Sequence, residues 1–415
     1  MPTWLFIIRA VGKRLWVTAS LYSLLGVIAA LIAAVFAPYV PDSLSFSVGS
    51  ESVGDILNIL ASSMLAVTTF SLAALVTAYT SVTGSVAPHA AELLVSDSDV
   101  RGPLATFIGA FLYAVVGTVA VHTAFYGAGG RVILFFITLG VLAVVVFSML
   151  RWIAELSTLA QVQNVVSRVE EAVRDALASP FARLAADDGD DPCPADAHPV
   201  NAEEIGFVQN IDLKGLHDAA ERHGLTVWVR ALPGDFVHPA LPLLSVVGQP
   251  TLDPALAKDL RGRVTVGEQR TFQQDPRWGM TVLGEIAARA LSPGINDPGT
   301  ARDVVVSVAR LLTCWVAEEH AREPEEDAIV RWDPVSPSDL LDAALDPVGR
   351  YGASDAPLQA FLHKALKPLV CSDSRTVSEA ARKRSAASLQ QALQTLDLPA
   401  DRHQVEMAAA AVAAR

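Results

Sequence analysis

Between Val132 and Leu150 nineteen consecutive residues carry no charge, and from Arg151 to about Ala178 the chain runs on without a Pro or Gly. An uncharged apolar run of that length crosses the hydrocarbon core of a bilayer. The whole stretch reads as one continuous helix, or two joined end to end. At 1.5 Å per residue it is roughly 70 Å long, too long for a membrane alone. Its first half is expected to span and its second half, 151–184, to lead out into water. The chain before it, 1–150, then reads as membrane and the chain after it as a water-exposed domain. Composition agrees, because only 18% of the 415 residues are charged, against about a quarter in soluble proteins.

Three further apolar runs precede this one. Leu15–Ala37 follows a short basic segment and is read as a retained first span, since it is longer than the apolar core of a cleavable signal. Ile56–Val82 is the second span and Leu104–Tyr126 the third, with Val132–Leu150 the fourth. Gly127-Ala-Gly-Gly130 leaves room for only a tight hairpin between the last two. Arg9, Lys13, Arg14, Arg101 and Arg151 fall on one side of these spans and Arg131 alone on the other. The positive-inside rule therefore predicts an inner-membrane protein with both termini in the cytoplasm.

The second span has an unusual face. Asn58, Ser62, Ala66, Thr69, Ala73, Thr77, Thr80 and Gly84 recur three or four residues apart, so small and weakly polar groups share one side of a helix. Such a face either packs closely against other spans or lines a narrow aqueous path. Asn58, Ser62, Thr69, Thr77 and Thr80 are the candidate pore-lining or packing residues. No Asp, Glu, Lys or Arg lies deep in any span, which argues against a proton-coupled pump or a voltage sensor.

Of the net charge of −13, residues 1–150 carry only −1, and the −12 left for the rest argues against a nucleic-acid partner. Val162, Val165, Val169, Val173 and Leu177 form an apolar stripe at helical spacing. Residues 185–203, with Asp187-Asp-Gly-Asp-Asp191, read as an acidic linker. Residues 204–250 read as a β module: a strand at Gly206–Asp212, a helix at Leu213–His223, strands at Leu225–Ala231 and Leu241–Val247, and a turn at Pro233-Gly-Asp235. This order is similar to barrel-sandwich modules of the biotinyl and lipoyl type. The lysine such modules carry on a hairpin tip is missing, since Lys214 begins the helix, so no covalent cofactor is expected.

Residues 251–415 read as mainly helical, with helices at 253–263, 277–291 and Thr300–Glu319, an acidic loop at Pro324–Pro337, a closing pair at Ser338–Val370 and Thr376–Leu396, and a terminal helix at Ala400–Arg415. Ser292-Pro-Gly-Ile-Asn-Asp-Pro-Gly-Thr300 is expected to be an ordered, buried turn in which Asp297 caps the next helix. Arg270, Asp275, Glu285, Arg289, Asn296 and Asp297 form a candidate polar cluster, read either as a ligand site or as a hydrogen-bond network shaping the turn.

The motifs "RTFQQDP", "EIAARALSPGINDPGTA", "GFVQNID" and "PGDFV", with "SSMLAVTTFSL" in the second span and "LATFIGAFLYAVV" in the third, make the chain resemble a family of uncharacterised bacterial predicted membrane proteins, DUF2254. The resemblance covers nearly the whole chain and implies an inner-membrane protein of four spans with a cytoplasmic domain and no assigned activity. Where this chain has Ala87-Pro88-His89, members tend to carry Ser-Pro-Arg. Where it has Arg151-Trp152, they often carry paired histidines, so any metal or proton role those histidines serve is not shared here.

The expected fold is thus an α-helical membrane protein with four transmembrane helices, followed by a cytoplasmic α+β domain containing a small barrel-sandwich-like module. No nucleophile elbow, P-loop, dinucleotide fingerprint or His/Cys metal cluster stands in the sequence. No catalytic residue, metal or cofactor is expected. Cys193, Cys314 and Cys371 are far apart and read as free thiols of a reducing compartment. Two functions fit: a homo-oligomeric channel or transporter-like protein with a regulatory cytoplasmic domain, or a membrane-anchored scaffold or sensor that binds a protein partner or small ligand. Membrane lipids and further copies of the chain are the expected partners.

Overall fold

A computed structural model describes residues 17, 19–24, 27–28, 50–85, 87–90, 93, 98–123, 128–159, 161–184, 193–248, 251–321 and 329–413. The chain divides into two compact units, one of Ile8–Gly84 and Pro88–Gln161, the other of Val162–Arg415 with Met1–Ile7 and Ser85–Ala87. Most of the first expected span and the chain up to residue 49, the hairpin glycine Gly127, the acidic run Asp187–Asp191 and the start of the acidic loop at Pro324 lie outside the described residues.

The first unit contains α1 (Ser50–Ser85), α2 (Ser98–His122) and α3 (Ala128–Leu159). Within them Ser52–Ser81, Gly102–His122 and Arg131–Leu156 are long and apolar enough to cross a membrane. Glycines set the close approaches. Gly117 of α2 lies against the side chain of Leu57 of α1, and Gly109 against the backbone of Tyr22, so a Cβ at Gly109 would fall 2.9 Å from the Tyr22 carbonyl oxygen. Between α2 and α3 the buried Tyr113 hydroxyl meets Thr138 Oγ1 at 2.8 Å, and Thr138 in turn donates to the Leu134 carbonyl of its own helix. A polar pair buried between spans is thereby satisfied without water.

The long helix expected from Val132 to Ala178 is two helices. α3 ends at Leu159, α4 runs from Val162 to Leu177, and Gln161 between them is not helical. The stripe on α4 is core: Val165, Val169, Val173 and Leu177 are all buried. Val173 packs on Gly279, where no Cβ would fit. Glu170 on the same face is buried and receives two hydrogen bonds from Arg310, at 2.8 and 2.7 Å, and a third from Arg174.

The β elements follow: β1 (His198–Asn201), β2 (Gly206–Ile211), β3 (Thr226–Val229), β4 (Phe236–Val237), β5 (Pro242–Val247), β6 (Val264–Gly267) and β7 (Val330–Trp332), with α5 (Leu213–His223) after β2 and α6 (Pro254–Arg261) before β6. They form two sheets, ordered β1-β5-β3-β7 and β4-β2-β6. All pairings are antiparallel except β3 with β7. The region is therefore larger than the 204–250 module expected. β1 lies in the expected linker, β6 in a segment expected to join two helices, and β7 in the expected acidic loop. Alternating apolar residues on β2 and β3 close one core with α5, in which Val208, Ile211, Leu216, Val227, Leu244 and Leu260 are buried together.

The helical remainder is α7 (Pro276–Ala290), α8 (Pro298–His320), α9 (Pro337–Tyr351), α10 (Ala356–Val370), α11 (Arg375–Thr395) and α12 (Pro399–Ala413). The single helix expected over Ser338–Val370 breaks at Gly352, and Asp355 caps its second half. The same device recurs. Asp253, Asp275, Asp297 and Ser336 each precede a proline and accept a backbone N–H from the first turn of the helix they cap. Proline at the first helical position loses no hydrogen bond, and an Asp or Ser oxygen supplies the acceptor that the helix start lacks.

Asp297 accepts from the backbone of Gly299 and Thr300 and from Thr300 Oγ1. Together these hydrogen bonds, led by that of Thr300 Oγ1, lower its pKa. Asp297→Ala is expected to cost about 1 kcal/mol, with Asp297→Ser recovering most of it. Denaturant titration of the two variants measures the difference.

Candidate functional site

Among the described residues, the small and hydroxylated face of α1 is left uncovered. Asn58, Ser62, Ala66, Thr69, Ala73, Thr77, Thr80 and Gly84 are all exposed. The buried side of the same helix is the opposite one, carrying Val53, Leu57, Leu60, Met64, Ser71, Leu75 and Ala78. The hydroxyls of the exposed stripe bond to their own helix: Ser62 donates to the carbonyls of Asn58 and Ile59, Thr69 to Leu65, Thr77 to Ala73 and Thr80 to Thr77. The stripe thus satisfies its polar groups locally and presents a shallow, small-residue groove. Large apolar side chains are exposed on α1 beside the stripe, among them Ile59, Leu65, Phe70 and Val76, and on α3, among them Phe136, Leu139, Leu142, Phe147, Leu150 and Ile153.

The six residues expected to cluster in the other unit do not form one site. Arg270 and Asp275 meet at the start of α7, whereas Glu285 and Arg289 lie half-buried on its last turns. Asn296 and Asp297 sit beyond its end, and the set is spread over roughly 20 Å of helix. The Ser292–Thr300 turn is ordered but exposed from Pro293 to Asp297, which corrects the expected burial. Its order comes from backbone hydrogen bonds. Ile295 and Asn296 both donate to Ser292 O and Asp297 to Ala290 O, with Asn296 at φ 51°. Burial is not needed, because the turn satisfies its own polar groups.

The Arg270–Asp275 pair is a joint. Arg270 donates to both carboxylate oxygens of the buried Asp275, at 2.8 and 3.0 Å, and its guanidinium lies 5.1 Å from the Trp278 ring centroid. Asp275 also accepts the Trp278 N–H, and Gly234 lies so close to the carboxylate that no Cβ would fit there. Arg277 reaches across to Pro233 O and Asp235 Oδ1, and Gln274 receives the Ile211 N–H. "PGDFV", "GFVQNID" and "RTFQQDP" are therefore three strands of one knot. Burial raises the Asp275 pKa, against the downward pull of Arg270, the Trp278 N–H and Arg277.

Sequence reasoning missed a second polar centre, between α9, α10 and α11. Gln359, His363, Arg384, Ser385 and Ser388 are buried there. Arg384 donates to Asp342, Asp346 and Gln391, and His363 Nδ1 lies 2.9 Å from Ser385 Oγ. The signal was available: Gln359 and His363 continue the buried stripe of Leu366 and Val370 at spacings of four, three and four. Burial lowers the His363 pKa to about 4. For Asp346 burial acts upward, but the Arg384 pair prevails and its pKa is lowered.

Two outcomes are expected. Arg270→Met strands the Asp275 carboxylate and should cost about 3 kcal/mol. An unfolded histidine titrates near 6.5, so between that pH and about 4 the unfolded chain binds a proton that folded His363 refuses. Stability should fall by roughly 1.4 kcal/mol for each unit of acidification across this window. Asp346 acts in the same sense but at lower pH, its contribution being present above its unfolded value of 3.8 and lost below, whereas Asp275, raised by burial, acts in the opposite sense, so the comparison with a His363 variant isolates the histidine. Urea titrations of wild type and His363→Gln across that window should show a pH slope in the first and a shallower slope in the second.

No solved structure matches the chain. Uncharacterized proteins of Mycobacterium tuberculosis and Mycobacterium bovis are each 31% identical to it over 170 residues, 39% of this chain. The match spans about one third of those relatives' length (33%). The family described as "Predicted membrane protein (DUF2254)" matches residues 12–368. With that match over most of its length, the chain belongs to the DUF2254 family of membrane proteins.

Proposed function

We propose that the protein is a homo-oligomeric, channel-like membrane protein in which the α1 stripes of several copies face one another around a narrow polar path. The observation that carries this reading is the exposed small-residue stripe of α1, which runs between exposed large apolar side chains of the same helix such as Leu65 and Phe70. Large aliphatic and aromatic groups such as Phe136 and Phe147 suit lipid, whereas an unbroken line of Ala, Gly, Ser and Thr allows close approach of another helix. Four spans, counting Leu15–Ala37, are few to enclose a path within one chain, and several copies supply the missing walls. Hydroxyls that donate to their own helix keep both oxygen lone pairs as acceptors for water or a solute. With the basic residues inside, the path crosses the inner membrane and the Val162–Arg415 unit lies in the cytoplasm as its regulatory part.

Cysteine substitution tests the geometry. In a background with Cys193, Cys314 and Cys371 replaced by Ser, Ser62→Cys and Thr69→Cys should cross-link between copies in native membranes, and Phe136→Cys should not. Ser62→Leu with Thr69→Leu should abolish the conductance of reconstituted vesicles while the oligomer persists. A monomer in nanodiscs without α1 cross-links would overturn the proposal. An oligomer that never conducts would favour the second reading, a membrane-anchored scaffold or sensor. The ordered, exposed turn with Ile295 at its tip favours that reading, since a fixed surface loop is suited to contact with a partner.

A further inference from the structure

The polar centre between α9, α10 and α11 contains four buried atoms without a hydrogen-bond partner in the protein: Gln359 Oε1, His363 Nε2, Arg384 Nε and Ser388 Oγ. They belong to residues that are 0–3% exposed, and their placement is mutual. The Gln359 amide donates to Val348 O at 3.2 Å and Gly352 O at 2.9 Å, which brackets Gly349. Gln391 Oε1 lies nearest the point where a Cβ on Gly349 would be, with Ser388 Oγ and Arg384 Nη2 at 3.0 and 3.3 Å. His363 is one turn beyond Gln359 on α10 and is bonded to Ser385, one turn before Ser388 on α11. Residues carrying unpaired polar atoms on two helices thus lie around the Val348–Gly352 turn of the third, with Ser388 Oγ beside Gly349. Leaving each dry costs free energy on the scale of a lost hydrogen bond or more.

We propose that this centre is an internal hydration site, in which ordered water is held by Gln359 Oε1, Ser388 Oγ and Arg384 Nε and reaches His363 Nε2. The chemistry selects the ligand. With the Gln359 NH₂ group already donating to two carbonyls, its oxygen can only accept, and Arg384 Nε can only donate. Ser388 does either. Water, with two donors and two acceptors, answers all of them, and three bonds are usual for a buried molecule. An ion does not fit, because Arg384 is already matched by Asp342 and Asp346, and Arg350 also reaches Asp346. An apolar molecule would leave every atom unpaired. The water would join α10 and α11 on either side of Gly349, where the helices make no direct side-chain bond between Gln359 and Ser388.

Two measurements on the full-length protein test this. A map that resolves the three side chains should show a density peak at hydrogen-bond distance from Gln359 Oε1, Ser388 Oγ and Arg384 Nε. In a double-mutant cycle, Gln359→Met and Ser388→Ala should each lower Tm by roughly 2–4 °C. The double variant should lower it by clearly less than the two shifts together, since one water serves both side chains. Resolved side chains with no peak, or with Gln359 bonded directly to Ser388, would overturn the proposal whether or not the variants fold. Additive Tm shifts would also overturn it, because dry, independent orphans predict additivity.

Discussion

A helix in lipid has no water to bond, so each polar group on it must be satisfied by its own backbone or by protein. The first unit is arranged around that constraint in two ways. Where polar groups are buried between spans they pair across them, as Tyr113 does with Thr138. Where they face outward on α1 they turn back on the preceding carbonyls. The second solution makes the outward stripe tolerable in lipid, so hydrogen-bond demand alone does not force a partner onto it. The case for a partner is steric instead. Small side chains opposite a buried aliphatic stripe leave α1 with one face filled by its own chain and one exposed groove of small residues.

The Val162–Arg415 unit meets the analogous problem with charge. Glu170 and Asp275 are buried carboxylates, each held by a bidentate arginine with a further donor beside it; Arg310 reaches Glu170 from another helix, whereas Arg270 lies five residues before Asp275. Such pairs add little net stability against an apolar alternative, yet each is costly to break from one side. The Glu170 pair fixes α4 against α8, and it is Arg277 that holds the Pro233–Asp235 turn to the start of α7. Arg384 does the same for α9 and α11. An arginine buried among three helices demands that all its acceptors arrive together, and that demand leaves the neighbouring Gln359 and Ser388 partly unmet.

Local chemistry was readable in the sequence wherever it acts within a few residues. Asp-Pro and Ser-Pro caps, the Leu213–His223 helix and the Pro233–Asp235 turn lie where propensity and spacing place them. What could not be read was which face of a periodic segment meets which neighbour. The α1 stripe is as regular as its buried opposite, and periodicity reports both without ranking them. β6 and β7 were missed because four and three residues are too few for an alternating pattern. They exist through pairing with β2 and β3, which are distant in sequence. The candidate cluster of six failed for a similar reason: residues close in sequence on one helix and its flanking turns are separated by the helix's own length.

The Ser292–Thr300 turn shows how order and burial come apart. Its prolines, glycines and Asp297 predict a fixed shape, and the backbone hydrogen bonds of Ile295, Asn296 and Asp297 supply it. Burial would add nothing to that shape, because the polar groups are already paired and the side chains from Pro293 to Asn296 offer little apolar surface to cover. The exception is Ile295, held outward by a neighbour in the left-handed region. A non-glycine residue at positive φ costs conformational energy. A flexible connection between α7 and α8 would avoid that cost. The sequence therefore spends local strain on holding one apolar side chain in water, on a turn that packing within the unit does not require to be rigid.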